Sequence, residues 1–213
     1  MNVEEVITEA RNITRDESFD DLWMVERINM GLQEIAAVMM IPGLSASGTV
    51  TALTTGNSVS MPVDFLHGLY LATTETYPEG LKLSPNRKDL ITRTNQEETG
   101  NVRQVAEEAK TLYYNPIPSE ADEAITLYYY TNPDEVTLGG DLPSWIPAHL
   151  QKSLALNYLA KEIFNLIEEG IDGQLPNAAK YFQLYGQALM LLGAFYPRAA
   201  KPYYPVTSKP VWY

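Results

Sequence analysis

The sequence predicts an α+β fold that is mainly α: a four-helix bundle, a small β domain inserted between its second and third helices, and an extended C-terminal tail. Three observations carry this expectation. Apolar residues recur every three or four positions up to residue 43 and again over residues 142–196. Over residues 44–141, short runs alternate polar and apolar side chains and are broken by Gly, Pro and Asn. Residues 197–213 then carry prolines at 197, 202, 205 and 210 and show no apolar period.

The first helix is expected over Val3–Thr14, where Val3, Ile7, Ala10 and Ile13 or Thr14 keep helical spacing. Arg15-Asp16-Glu17-Ser18 interrupts it, and Ser18 with Asp21 has the form of a capping box with Asp in place of Glu. A second helix over residues 19–39 aligns Leu22, Val25, Ile28, Leu32, Ile35, Ala36 and Met39 on one face, widened by Trp23 and Met24. Pro42-Gly43 ends it.

Residues 1–43 thus supply the first two bundle helices. In the inserted region, Thr55-Gly56-Asn57 is expected to close a hairpin between strands at 49–54 and 58–62. Val63-Asp64-Phe65 leads into a third strand at 66–73, and a short polar helix is expected over 85–94. Leu112-Tyr113-Tyr114 is expected to pair with residues 124–131 across the Pro116-Ile117-Pro118 loop. On that last strand Ile125, Leu127 and Tyr129 share one face, while Thr126, Tyr128 and Tyr130 share the other.

Pro143-Ser144-Trp145-Ile146-Pro147 opens the third bundle helix, with Ser144 as its N-cap and Pro147 in its first turn. Its stripe is Ile146, Leu150, Leu154, Tyr158, Ile163 and Ile167, widened by Leu159, Phe164 and Leu166, and Gly170 and Gly173 end it. A fourth helix follows Pro176 with Ala178, Tyr181, Leu184, Tyr185, Ala188, Leu191, Leu192 and Phe195 in its stripe, and stops at Pro197. Four helices with apolar faces in need of partners can close into one bundle.

Composition narrows the function. The chain holds no cysteine, which excludes disulfides, thiolate nucleophiles and Cys-type zinc sites. Its two histidines, His67 and His149, are too few for a site built on several imidazoles. No phosphate-binding glycine loop, Gly-x-Ser-x-Gly or His-Glu-x-x-His pattern occurs. His67 reads as a hydrogen-bonded structural histidine, and carboxylate pairs such as Glu97-Glu98 and Glu107-Glu108 read as solvated faces. No cofactor, metal or catalytic residue is expected. The acidic start Met1-Asn2-Val3-Glu4-Glu5 has no apolar segment of the secretory type, and no run is long enough to span a bilayer.

With 15 basic and 27 acidic residues the net charge is −12, which disfavours broad binding to nucleic acid. Against this, residues 197–213 contain Arg198, Lys201 and Lys209 and no acid. A basic tail on an acidic body points to docking on another acidic surface or on phosphate. The 14 tyrosines are roughly twice the usual number for this length. Adjacent pairs on strands put rings on both faces. One face serves the core and the other calls for a partner, either another protein or a sugar. Tyr113, Tyr128 and Tyr130 are the candidate interface residues in the β region.

An ordered set of short motifs carries a resemblance. It runs from Phe19-x-x-x-Trp23 and Met39-Met40-Ile41-Pro42 through Val59-Ser60-Met61-Pro62-Val63-Asp64-Phe65 to Tyr114-Asn115-Pro116-Ile117-Pro118. It continues with Ile125-Thr126-Leu127-Tyr128-Tyr129-Tyr130-Thr131-x-Pro133 and Leu142-Pro143-x-Trp145-Ile146. In this layout, over residues 1 to about 196, the chain resembles the head-to-tail adaptor proteins of tailed bacteriophages. These are also called head-completion or connector proteins, and they include the tail tubular protein A type. One departure is Ala106-Glu107-Glu108-Ala109, where a glycine is common.

The resemblance implies a non-enzymatic virion protein of the neck, made in the host cytoplasm. It implies a homo-oligomeric ring, commonly a dodecamer, below the portal protein, with a tail or nozzle protein beneath. DNA would pass through the channel without specific recognition, and no membrane is involved. Within that frame, Arg198, Lys201, Tyr203, Tyr204, Lys209, Trp212 and Tyr213 are expected to dock on the portal. Tyr113, Tyr128 and Tyr130 are expected to meet a neighbouring subunit or the tail. The alternatives are another neck, head-stabilising or tail-tube protein of the same fold, or a carbohydrate-binding module or enzyme using the tyrosine-rich region.

Overall fold

Asn2 starts the first helix with a full capping box. Its side chain accepts the Glu4 N–H at 2.8 Å, and Glu5 reaches back to the Asn2 N–H at 3.2 Å. The computed structural model describes residues 1–92, 98–168 and 176–196. These hold five α-helices and seven strands in two units: Met1–Leu44 together with the described residues of 132–196, and Ser45–Thr131.

The first unit is helical: α1 (Val3–Thr14), α2 (Asp21–Val38), α4 (Ala148–Glu168) and α5 (Pro176–Phe195). Helix α4 is the hub on which α1, α2 and α5 each pack, while α1 and α2 barely meet. A fully buried row of α4 (Leu154, Leu159, Ala160, Ile163) explains why one helix can serve three partners. Gly31 of α2 admits the Tyr158 ring of α4, since a Cβ there would lie 2.8 Å from it. Asn29 and Val136 exchange two hydrogen bonds, at 2.8 and 3.1 Å, pinning the segment before α4 onto α2. Glu168 is buried at the end of α4 and accepts the Asn177 and Ala178 N–H groups at the start of α5.

The second unit holds β1 (Ser45–Ala52), β2 (Ser58–Ser60), β3 (Phe65–Thr73), β4 (Lys82–Ser84), the short helix α3 (Arg87–Thr92), β5 (Gln104–Glu108), β6 (Thr111–Asn115) and β7 (Glu123–Thr131). One sheet has the order β1-β7-β3 and the other β2-β6-β5-β4. Both turn apolar faces into a common core that includes Val50, Phe65, Val105, Leu112, Ile125 and Leu127.

This architecture corrects the expected fold class. The molecule is a mixed α+β protein, not a mainly α four-helix bundle carrying a small β insert. The reason lies in the β region: its seven strands close over a core of their own, which makes it a unit comparable to the helical one. Local expectations change with it. Thr55-Gly56-Asn57 does not close a hairpin, because β1 pairs with β7 and β2 with β6. It is the corner where the chain passes from one sheet to the other. Likewise β6 and β7 lie in different sheets and do not pair. The partner of β6 is β5, through a tight turn at Ala109-Lys110.

Helix termini and stripes are also revised. Ser18 is not a cap: its N–H donates to Asp16, and α2 begins after Asp20. Ser144 sits in a turn before α4, whose first hydrogen bonds end on the Pro147 carbonyl. Leu22 is 70% exposed, because at 100° per residue it lies roughly 110° round from the centre of the buried stripe of α2. Leu166, Leu191 and Phe195 are exposed as well. No described helix is long and apolar enough to cross a membrane.

Candidate functional site

Strand β7 is the centre of its sheet, flanked on both sides, so its period-two alternation sends side chains to two distinct environments. Ile125, Leu127 and Tyr129 are buried in the core. Thr126, Tyr128 and Tyr130 stand half-exposed on the outer face.

The inner rings fix the strand. The Tyr129 hydroxyl donates to Asp64 Oδ1 at 2.7 Å, and the Thr131 hydroxyl donates to the Asp64 carbonyl at 2.9 Å. A turn in which Phe65 N–H meets the Pro62 carbonyl presents Asp64 to them. Gly48 on β1 leaves room for this contact, because a Cβ there would sit 2.9 Å from the Tyr129 hydroxyl and 3.0 Å from Pro62. Burial first, and then the Asp64 carboxylate as acceptor and charge, push the Tyr129 phenol up to about 12. The buried Tyr114 hydroxyl plays a similar part across the unit. It accepts the Leu53 N–H at 2.8 Å and donates to the Leu53 carbonyl at 3.2 Å.

The outer rings form a cluster. Tyr70 of β3 lies 5.4 Å from Tyr130 and 6.4 Å from Tyr128, and His67 lies 5.7 Å from Tyr130, all in tilted contact. The Ser45 and Tyr70 hydroxyls are hydrogen-bonded to each other. The register explains how Tyr70 reaches this face. Opposite β7, β3 carries extra residues between Phe65 and His67 and again between His67 and Leu71, and Gly68 takes a left-handed φ of 69°. These bulges break the alternation and turn Tyr70 outward beside Tyr128. The sequence reading missed Tyr70; Gly68 inside an apolar run was the available signal.

Of the three tyrosines expected to form an interface, the structure brings Tyr128 and Tyr130 together and separates Tyr113 from them. Tyr113 lies on β6 in the other sheet, where the Arg87 guanidinium sits 4.5 Å from its ring centre. Arg198, Lys201, Tyr203, Tyr204, Lys209, Trp212 and Tyr213 lie outside the described residues.

Two further surfaces stand out. Beside Tyr128 the outer face of the β1-β7-β3 sheet opens into a cleft of about 1020 Å³, lined by Leu71, Tyr128 and several Thr side chains and by Glu75, Glu120, Asp122 and Glu123. On the helical unit, Phe182, Met190, Leu191 and Phe195 of α5 are all more than half exposed. Residues 181–196 contain no charged side chain, although an outward helix face normally carries charge. Among the described residues no group of three or more His, Asp or Glu side chains is placed to hold a metal ion.

A family model described as SU10 adaptor protein matches residues 1–206 of the chain. No curated protein matches it.

Proposed function

Because the chain belongs to the SU10 adaptor protein family, and is thereby a structural adaptor of the phage virion, we propose that copies of it form a ring below the portal. The ring extends the DNA channel and carries the tail or nozzle. The observation that carries this reading is the family match over nearly the whole chain, residues 1–206. An adaptor family points away from catalysis and toward assembly with head and tail components.

Physical features support the finer reading. A closed ring uses heterologous contacts, so each subunit needs two different patches. The aromatic face around Tyr70, Tyr128 and Tyr130 and the uncharged outward face of α5 are two such patches, on different units. A net charge of −12 on each subunit would make a ring of them repel phosphate, which favours passage of DNA over adhesion.

Electron microscopy of the protein mixed with purified portals tests the proposal. The expected image is a closed ring seated on the portal; portals that remain bare at saturating protein would refute it. In the same assay Tyr128→Ser combined with Tyr130→Ser should impair ring formation while shifting the melting temperature little. Normal rings from that variant would remove the tyrosine face from the interface.

A further inference from the structure

The cleft beside Tyr128 carries negative charge alone among the described residues. Four carboxylates line it, at Glu75, Glu120, Asp122 and Glu123, and no described Lys, Arg or His does. Two of them are tied into the fold: Asp122 accepts the Thr54 N–H at 2.9 Å and Glu123 accepts the Val102 N–H at 2.8 Å. Glu75 and Glu120 are exposed at its edge. The carboxylates are not gathered around a point, and no metal-binding group is found among the described residues. The cleft therefore suits an extended cationic chain better than an ion. Leu71 and Tyr128 line it beside Thr73 and Thr126, and through Tyr128 it continues into the Tyr70, Tyr128 and Tyr130 cluster.

The same chain carries a segment of the complementary chemistry. Residues 197–213 have Arg198, Lys201 and Lys209, no acid, four prolines, and the rings of Tyr203, Tyr204, Trp212 and Tyr213. Prolines favour an extended conformation of about 3.1 Å per residue. Proline-rich peptides dock in aromatic-lined grooves by this preformed geometry, and flanking charges set their direction.

We propose that the cleft receives the 197–213 segment of a neighbouring copy. Each subunit then hands its tail to the next around the ring. The assignment to a neighbour rests on the ring reading above. A heterologous contact requires a donor patch and a different acceptor patch, and tail and cleft are such a pair. A tail closed on its own chain would occupy both and leave nothing for the next subunit.

Two variants test this without portals. One lacks residues 198–213 and keeps the cleft; the other carries Glu75→Lys and Glu120→Lys and keeps the tail. Neither can form the tail–cleft contact with its own kind. Circular dichroism and melting curves establish that both fold, with Glu75→Gln and Glu120→Gln as the milder replacement. In sedimentation velocity at about 50 mM salt the mixture should form a one-to-one complex, weakened at least tenfold at about 300 mM because screening shortens the reach of the charges. Absence of the complex overturns the proposal. A wild-type chain that stays monomeric where the mixture pairs also overturns it, since the tail would then close on its own cleft. Complete rings on portals from the Lys variant would overturn this inference alone and leave the adaptor reading standing.

Discussion

The turn between β5 and β6 is built from the wrong residues for its shape, and correcting it should stabilise the β unit. Ala109 and Lys110 both adopt left-handed conformations, at φ 52° and 60°. Two successive residues of this kind between paired strands make a type I′ turn, for which Asn-Gly is the preferred sequence. An L side chain in this region costs about 1–2 kcal/mol per residue. Ala109→Asn with Lys110→Gly removes most of that cost at both positions. The local bonds survive, because residue 110 uses its backbone N–H toward Glu107 at 3.2 Å and its carbonyl toward the Met61 N–H at 3.0 Å. Glycine returns roughly 0.5–1 kcal/mol through the extra freedom of the unfolded chain. The net gain is about 1–2 kcal/mol, which for a protein of this size raises Tm by about 2–8 °C. Differential scanning calorimetry reads the shift, and Ala109→Val, which forces a β-branched side chain into the same conformation, should lower Tm. A double variant that melts at or below wild type, or a Val variant that melts unchanged, would refute the strain argument.

Tyr129→Phe removes a hydrogen bond to a carboxylate and should cost about 1.5–3 kcal/mol. It should also flatten the alkaline limb: the folded phenol titrates above the unfolded one, so its contribution is complete below about pH 10 and is lost as pH rises toward 12. Wild type and variant should converge over that window in urea titrations; parallel curves would count against the Asp64 contact. At Glu168, burial raises the carboxyl, but bonds from the Ala178 N–H and from the Asn177 side chain and N–H outweigh it and hold the group below its ordinary range. That contribution is present above the unfolded carboxyl range and is lost as pH falls through the lower folded one, so Glu168→Gln should show a shallower acid dependence of Tm. An identical acid limb would mean that the α4–α5 clamp is not charged. Gly31→Ala drives a methyl group against the Tyr158 ring and should destabilise by about 1–3 kcal/mol; an unchanged Tm would show that α2 and α4 can part there at no cost.

Much of this was readable along the chain because it depends on near neighbours. The split of β7 into a buried face at Ile125, Leu127 and Tyr129 and an outer face at Tyr128 and Tyr130 follows from a period of two. The choice of partner strand does not. Ser45–Ala52 pairs with residues 123–130 and not with the strand that follows Gly56, and no local pattern encodes that contact. Tyr70 escaped for a related reason: a bulge resets the alternation, and its position depends on the register against β7. Leu22, Leu191 and Phe195 show the limit on helices. Spacing by threes and fours admits residues at the margin of a stripe, and only the neighbouring helices decide which margin is covered. The Asp64–Tyr129 bond had a trace in Pro62-x-Asp64, but the phenol it meets is 65 residues further on.

The pairing of Ser45 with Tyr130 has a mechanical meaning. The β unit joins the rest of the chain after Leu44 and before Asn132, so both joints lie at the same end of the β1–β7 ladder. A pull exerted through these joints cannot shear the eight paired positions together; it peels them one at a time from Ser45 inward. Bonds loaded in sequence yield at far lower force than bonds loaded side by side. At that same end Asp64 holds β7 by the hydroxyls of Thr131 and Tyr129. Under tension the ladder would thus open first at the Ser45–Tyr130 rung, while the bonds from Thr131 and Tyr129 to Asp64 keep β7 itself anchored.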